Sequence, residues 1–446
     1  MGRNSYNKSL EIWTNGEHVG TWNIPTRGGM ELIYSQDWVQ SEAGRPLSLS
    51  LPFGVGKSSI KTQAVENFFR NLLPDSDVIR KRIAEKFKLK TAGTFELLES
   101  IGRDCVGSVQ LLQSGKTPTR FDQIEFTPLS EEGVSNHLKR VVISPEFSSQ
   151  ESNDEFRISL AGAQEKTALL WHDGKWNLPL NSTPTTHIFK LPLGLVGNSQ
   201  VNFETSVENE WLCLQILREF GLPVTNSELA TFNGQRVLIV ERFDRKLSTS
   251  GTWWMRLPQE DFCQAFGVSP NVKYESDGGP GFGSIARLLQ QSIHPDQDRD
   301  TLLTAQILFW MLAATDGHAK NFSIRMLPGG QFQLAPLYDV LSAWPVIGRG
   351  GGSWEIQKVK LAMSVEGKNR HYKLQDIKRR HFNHMAYQHG FSQGAELIIQ
   401  FLIERTPLVV ESVRSAIPPG YPEEVAEAIL GGLLKSADDL AKMSKV

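Results

Sequence analysis

The stretch Thr315-Asp316-Gly317-His318-Ala319-Lys320-Asn321, followed by Leu337-Tyr338-Asp339-Val340, decides how this chain reads. Asp316 and Asn321 lie five residues apart, and Asp339 comes eighteen residues after Asn321, beyond an apolar segment of strand character. In-line phosphoryl transfer needs a carboxylate that orients or deprotonates the acceptor hydroxyl, together with hard oxygen ligands that hold Mg²⁺ against the nucleotide phosphates. An Asp, an Asn five positions on and a later Asp present those groups in the order of a kinase catalytic site. The flanking words differ: Thr-Asp-Gly-His stands where His-Arg-Asp is usual, and Tyr-Asp-Val where Asp-Phe-Gly is usual. The spacing predicts Asp316 as catalytic base and Asn321 and Asp339 as magnesium ligands. His318 is grouped with the nucleotide-contacting residues and read as structural, because the aspartate and asparagine alone satisfy the spacing.

A site of this kind also needs a phosphate-cradling loop, a lysine on a neighbouring strand and a hinge for adenine, and candidates occur upstream in that order. Ala161-Gly162-Ala163-Gln164 joins two expected strands with small residues that let backbone N–H groups approach phosphate oxygens, and Lys166 follows it. An ordinary hairpin loop has the same composition. Lys190 ends Thr186-His187-Ile188-Phe189-Lys190, with the apolar-before-lysine form of a phosphate-pairing strand lysine; a surface lysine at a strand end reads the same way. On the next helix Glu210 lies at helical spacing to Leu214 and Leu217 and is the candidate acidic partner, with Glu208 expected to face solvent. Leu238-Ile239-Val240-Glu241-Arg242-Phe243-Asp244-Arg245 is an apolar strand that breaks into charge, as a hinge offering backbone groups to adenine would, with Phe243 placed to cover the ring; a strand ending in a solvated loop reads the same way.

Two glycine-rich stretches mimic nucleotide motifs. Gly54-Val55-Gly56-Lys57-Ser58 ends like a Walker A loop, yet Leu51 stands where its first glycine is required. Asp277-Gly278-Gly279-Pro280-Gly281-Phe282-Gly283 carries a proline and misses the G-x-G-x-x-G spacing, so it reads as a loop entering a helix near Ser284.

A length of 446 residues implies two or three domains. The 47 basic and 49 acidic residues nearly cancel, so any DNA contact has to come from a local patch. Lys368, Arg370, Lys373, Lys378, Arg379 and Arg380 form such a patch, with Asp376 the acid among them; a solvated helix face is the plain alternative. Cys105, Cys213 and Cys263 are odd in number, dispersed and without a Cys-x-x-Cys pair, which argues against a disulfide framework or a zinc site. The N-terminus lacks an apolar signal core, and the longest apolar run, around Ala305 to Ala314, is half a membrane span. A soluble cytoplasmic protein is expected.

Residues 10–24 alternate around Asn15-Gly16, a hairpin signal. Helical spacing follows at Glu66 to Leu73 and Asp77 to Phe87, then strand-like composition at Val106 to Leu112. A polar stretch from Gln113 to Asp154 reads as a connection with one short helix. Strands are expected at Phe156 to Leu160, Lys166 to Trp171, His187 to Leu191, Glu228 to Phe232 and Arg236 to Val240, with a helix from Val207 to Phe220. After Pro258 the chain reads as helical to its end, interrupted by the catalytic loop and a short β segment near Phe332 to Val340. The expected class is α+β: a bilobal protein-kinase-like fold with a β-rich N-lobe (151–254), a helical C-lobe (255–446) and an additional N-terminal α/β domain (1–150).

Beyond the catalytic loop, the chain resembles the HipA family, serine/threonine kinase toxins of bacterial toxin–antitoxin pairs. The resemblance is carried by Arg45-Pro46-Leu47-Ser48-Leu49-Ser50-Leu51-Pro52, by Asn67-Phe68-Phe69-Arg70-Asn71-Leu72-Leu73-Pro74-Asp75-Ser76 and by Ile101-Gly102-Arg103-Asp104. Further on it is carried by Phe156 to Lys166, Val240 to Arg245, Leu257-Pro258-Gln259-Glu260-Asp261 and the Thr315 to Asn321 loop. It implies ATP and Mg²⁺ as cofactors and a HipB-like helix-turn-helix antitoxin that binds operator DNA. It implies a protein substrate such as an aminoacyl-tRNA synthetase. It also implies Ser159 as an autophosphorylation site whose modification expels the phosphate loop. Two other readings remain open: a small-molecule phosphotransferase of similar fold, and a DNA-bound corepressor with a vestigial kinase site.

Overall fold

The computed structural model describes residues 6–54, 59–142, 158–196, 201–349 and 352–445. Val55 to Ser58 of the Walker-like stretch, Phe156 and Arg157 of an expected strand, and residues 143–154 of the 113–154 connection lie outside the described residues. The chain forms two compact units. One comprises Met1–Lys190, Ala230–Asn271 and Ile324–Phe332; the other comprises Leu191–Leu229, Val272–Ser323 and Gln333–Val446.

In the first unit the hairpin expected at Asn15-Gly16 joins strands Tyr6–Thr14 and Glu17–Pro25, and both turn residues have positive φ, 47° and 86°. An antiparallel five-stranded sheet grows from it in the order Ser59–Ile60, Glu31–Tyr34, Glu17–Pro25, Tyr6–Thr14, Gln110–Gln113. Its apolar face buries Leu10, Ile12 and Trp22 against helices Gln63–Asn71, Asp77–Lys86 and Thr94–Ile101. The Trp22 indole stacks on Phe69 with ring centroids 3.9 Å apart and meets Phe95 at 4.9 Å. The third of these helices was not among those expected, although Phe95, Leu98 and Ile101 are buried at helical spacing. The strand expected over Val106 to Leu112 is shorter, because Gly107 turns the chain with φ 75° and pairing begins at Gln110.

A six-stranded sheet runs in the order Ser227–Phe232, Gln235–Glu241, His187–Lys190, Lys166–His172, Lys175–Pro179, Phe126–Pro128. The polar stretch after Gln113 is therefore more than a connection. Phe126–Pro128 pairs antiparallel with Pro179 to Asn177, and the helix Glu131–Val142 packs on the sheet, where His137 Nε2 lies 2.9 Å from Thr167 Oγ1. Burial pushes the His137 imidazole down to about 3, so it stays neutral in this contact. Residues 158–160 do not form a strand; Ile158 makes one isolated bridge to Asp104.

The motifs that carry the resemblance in the N-terminal region tie it to residues 257–268. Leu49 N–H donates to Glu260 Oε1 at 2.9 Å, Ser50 Oγ to the Gln264 carbonyl at 2.7 Å, and Asn67 and Asn71 to the carbonyls of Gly267 and Val268 at 2.7 and 2.9 Å. Deeper lies a buried ionic cluster. Asp104 meets Arg245 at 2.8 Å and both Arg242 and Arg256 at 3.4 Å, while Asp244 meets Arg242 at 2.9 Å and Arg245 at 3.0 Å. Burial alone would raise the Asp104 pKa, but the three guanidiniums hold it well below the usual carboxylate range.

The second unit contains helices Ser206–Glu219, Phe282–Leu289, Pro295–Met311, Arg379–Gln388, Glu396–Ala416 and Glu423–Lys442. The last two pack on each other and on Ser206–Glu219. Glu423–Lys442 approaches Trp344 so closely that a Cβ on Gly432 would stand 2.4 Å from the indole, whose N–H donates to the Met311 carbonyl at 2.9 Å. The chain after Pro258 is not helical throughout. It includes strands Gln259–Asp261, Ser323–Met326, Phe332–Leu334, Lys360–Glu366 and Arg370–Lys373, the last two paired as a hairpin. Leu361 to Val365 are consecutively buried, so this hairpin lacks the alternation that marks a strand in sequence.

Candidate functional site

The nucleotide-side residues are gathered in the first unit. Strands Lys166–His172 and His187–Lys190 are antiparallel in a register that sets Lys166 opposite Lys190, so the two amine side chains project from one face of the sheet. Lys190 is buried, and Leu238 lies opposite it on its other side. The small-residue loop sits beside this pair: Lys166 Nζ donates to the Ala161 carbonyl at 2.7 Å. Gly162 has φ 105°, so its backbone conformation calls for glycine, and a Cβ there, 2.5 Å from Lys166 Nζ, would displace that ammonium. Its flank is pinned. Asp75 N–H donates to the Gly162 carbonyl at 2.9 Å, and Pro74 bridges Gly162. Ala163 is exposed at the loop's tip and Gln164 is buried.

Ser159, just before the loop, is fully buried. Its N–H donates to the Asp104 carbonyl at 3.1 Å and its Oγ to the Leu72 carbonyl at 2.8 Å. At the end of Gln235–Glu241, Glu241 is exposed and pairs opposite His187. Burial pushes the His187 imidazole down to about 4, against the opposing pull of the Glu241 carboxylate. Phe243 lies under the Arg325 guanidinium, 5.4 Å from its ring centroid. Arg325 is a neighbour of the hinge that sequence reasoning missed.

The catalytic-loop residues are gathered in the second unit. Helix Pro295–Met311 ends beside the loop, and its Phe309 ring packs so tightly that a Cβ on Gly317 would stand 2.4 Å away. The loop folds on itself through His318 N–H to the Asp316 carbonyl (2.8 Å) and Asn321 N–H to the His318 carbonyl (2.9 Å). Asn321 is buried, and its amide Nδ2 reaches the carbonyls of both Asp316 (2.6 Å) and Asp339 (3.5 Å). The three residues picked out by spacing are thereby brought together. Asp339 has φ 60°, a left-handed conformation that costs an aspartate backbone strain. The chain on either side is fixed: Leu337 N–H donates to Pro223 at 2.8 Å, and Ser342 exchanges two 2.8 Å hydrogen bonds with the Asn209 side chain.

The Asp316 carboxylate is half exposed and so open to an external hydroxyl, and His318 Nε2 lies 3.7 Å from it. His318 itself is buried, in keeping with a structural place. An amide oxygen from Asn321 and a carboxylate from Asp339 are hard oxygen donors of the kind Mg²⁺ takes. The Asn321 amide nitrogen is turned to backbone carbonyls, so its oxygen is the atom of the side chain suited to a cation. Glu208, expected to face solvent, is as buried as Glu210 because helix Ser206–Glu219 is enclosed along nearly its whole length.

The basic patch is not a helix face. Lys368, Arg370 and Lys373 belong to the 360–373 hairpin region and are exposed, whereas Lys378 caps helix Arg379–Gln388. Arg379 is buried and used within the fold, paired with Glu396 and donating to the Leu440 carbonyl at 3.0 Å, so it presents no charge to DNA. Arg380 is exposed. Among the described residues no helix is long and apolar enough to cross a membrane.

The family description "HipA-like C-terminal domain" matches residues 158–410, and "HipA N-terminal domain" matches residues 10–112. The Sinorhizobium fredii protein Y4mE, a kinase by name, is 36% identical over 337 residues, covering 75% of this chain and 77% of that protein. The serine/threonine-protein kinase toxin HipA of Shewanella oneidensis is 25% identical over 411 residues, covering 88% of this chain and 86% of that protein. A chain in the solved complex of Shewanella oneidensis MR-1 HipA, HipB and operator DNA has the same fold, with a TM-score of 0.76 at 22% identity and 96% of each chain covered. The C-terminal match spans residues 158–410, more than half of the chain, and the chain belongs to the HipA family of serine/threonine protein kinases.

Proposed function

We propose that this chain is an ATP- and Mg²⁺-dependent kinase that acts as the toxin of a toxin–antitoxin pair in the bacterial cytoplasm. On this reading it arrests growth by phosphorylating a protein of the translation machinery, with an aminoacyl-tRNA synthetase as the class of target. The observation that carries it is the Asn321 amide, which gathers Asp316 and Asp339 into one oxygen-rich cluster. Asp316 takes the proton of an acceptor serine or threonine hydroxyl. The acceptor oxygen bonds to the γ-phosphorus while the bond to the β–γ bridging oxygen breaks and ADP departs. Lys190, Lys166 and the N–H groups of 161–164 bind phosphates, while Glu241 and Phe243 flank adenine. Mg²⁺ held by Asn321 and Asp339 would neutralise charge building on the phosphate oxygens.

The functional division is an N-terminal domain, the β-rich lobe and the C-terminal lobe, with the first boundary drawn between residues 112 and 126. The family match to the N-terminal domain ends at 112, and pairing with the second sheet starts at Phe126. A HipB-like helix-turn-helix antitoxin is the proposed partner, with operator DNA reached through it; the solved Shewanella oneidensis complex contains HipA, HipB and operator DNA. Comparing phosphoproteomes of cells expressing the wild-type chain and its Asp316→Asn variant tests the reading. Absence of any phosphosite unique to wild type would overturn it.

Asp339→Asn removes an anionic ligand and is expected to raise the Mg²⁺ concentration needed for half-maximal transfer, by about tenfold on the scale of a weakened metal contact. A magnesium titration of the initial rate checks this; an unchanged midpoint removes Asp339 from the metal site.

Ser159 is the proposed autophosphorylation site, and its burial gives that event a structural consequence. A phosphate adds about two negative charges, and the space around Ser159 Oγ is filled by the Leu72 carbonyl. Modification therefore has to separate residues 159–162 from Leu72 and Asp75. Incubation with ATP should place phosphate on Ser159 by mass spectrometry and abolish nucleotide binding, whereas Ser159→Ala should stay active over the same interval. Retained ATP affinity in the phosphorylated protein would count against the assignment.

A further inference from the structure

The acceptor side of the catalytic loop contains a residue that the spacing argument did not supply. Tyr274 donates its phenolic hydroxyl to Asp316 Oδ1. Its ring stands edge-on to His318 at 5.0 Å and 83°, and the Lys273 ammonium lies 5.6 Å from its centroid. The segment that presents it is built, and built on the glycines that read in sequence as a failed nucleotide motif. The N–H groups of Asp277 and Gly279 both donate to the Tyr274 carbonyl, at 3.1 and 3.0 Å. A Cβ on Gly279 would come 2.1 Å from the Val272 carbonyl oxygen, and one on Gly281 would come 2.4 Å from the Glu275 carboxylate. Glu275, next to the tyrosine, is buried and anchors the segment by accepting Ser364 N–H at 2.6 Å, with Arg370 Nε 3.6 Å away.

A hydroxyl donating to the catalytic carboxylate is what an acceptor serine does on entering the site. We propose that Tyr274 is a positioning residue of the acceptor site: in the unloaded enzyme its phenol occupies the acceptor hydroxyl's place on Asp316, and the incoming hydroxyl displaces it. This rests on Asp316 being the base. Two consequences follow from one hydrogen bond. The phenol holds the acceptor's place on Oδ1 against water while no acceptor is bound, although the carboxylate stays half exposed, and this suppresses futile ATP hydrolysis. Every acceptor must also compete with the phenol, so the contact sets a threshold for weakly held hydroxyls.

The test uses the full chain with Mg²⁺ and γ-labelled ATP, first alone and then with a synthetic peptide of residues 152–166 as acceptor. Tyr274→Phe keeps the ring against His318 and removes the hydroxyl. It should lower the peptide KM by about five- to tenfold, the scale of one ordinary net hydrogen bond. The KM for ATP should not move, and phosphate release without peptide should rise by a similar factor. Unchanged peptide KM and unchanged phosphate release overturn the inference, as does a fall in kcat at constant KM, which would make the phenol a participant. Nitration of Tyr274 in the wild-type chain gives a readout free of folding effects: peptide with a non-hydrolysable ATP analogue should accelerate it, and an unchanged rate overturns the inference. If the wild type is active, Asp316→Asn is dead and Tyr274→Phe matches wild type, this inference alone fails. If wild type and Asp316→Asn turn over ATP equally, the reading of Asp316 as base fails and takes this one with it.

Discussion

Asp316→Asn is expected to transfer the γ-phosphate about two to four orders of magnitude more slowly than wild type, the range for loss of a positioned general base. The substitution is close to isosteric, and the contacts that shape the loop avoid its side chain. Asn321 donates to the backbone carbonyl of residue 316 at 2.6 Å, and His318 N–H donates to the same carbonyl at 2.8 Å. Gly317 stays locked under Phe309. Nucleotide affinity should therefore be preserved, since Lys166, Lys190 and the 161–164 loop are untouched. Single-turnover transfer measured beside fluorescent-nucleotide binding separates the two effects. A transfer rate within threefold of wild type would remove Asp316 from the base's role, and a parallel loss of binding would indicate a folding defect instead.

The candidate set Asp316, Asn321 and Asp339 was legible because its spacing falls within one loop and its continuation, where the Asn321 amide reaches both aspartates' carbonyls. The N-terminal motifs were legible only as a resemblance. Their physical work joins residues far apart in sequence, such as Leu49 with Glu260 and Asp104 with Arg245, and no local pattern encodes such pairings. Tyr274 escaped for the same reason, being 42 positions from Asp316. The 360–373 hairpin escaped because its inner strand is buried on consecutive residues, leaving no period of two to detect. The basic run after it then looked like a uniform helix face, although Arg379 turns inward to Glu396 and Leu440. The stretch 113–142 read as a connection because polar composition outweighed the short strand Phe126–Pro128, whose partner lies some fifty residues on.

Asp104→Ala is expected to destabilise the first unit by about 3–5 kcal/mol, the cost of stranding buried charge by deleting its partner. Arg242, Arg245 and Arg256 are all within 3.4 Å of this carboxylate, and their side chains are at most 3% exposed. Without it, three guanidiniums would share Asp244 alone. Thr185 would lose its partner too, since its N–H and hydroxyl donate to Asp104 Oδ2 at 3.0 and 2.7 Å. The expected fall in melting temperature is about 10 °C, from the usual few degrees per kcal/mol in a domain of this size. The acid limb carries an independent signature. Because the folded pKa of Asp104 is depressed, its contribution is complete above the unfolded value near 4 and is lost as pH falls toward the folded value. The variant should therefore show a shallower decline in stability below pH 4 than wild type. Function should follow stability on the proposed reading that Glu241 and Phe243 flank adenine, because Arg242 directly follows Glu241 and lies with Asp244 on either side of Phe243. Replacing the whole cluster with well-packed apolar residues need not cost as much, since the penalty comes from breaking the set rather than from lacking it. A melting temperature within 2 °C of wild type, with an unchanged acid limb, would show that the arginines find other partners when Asp104 is gone.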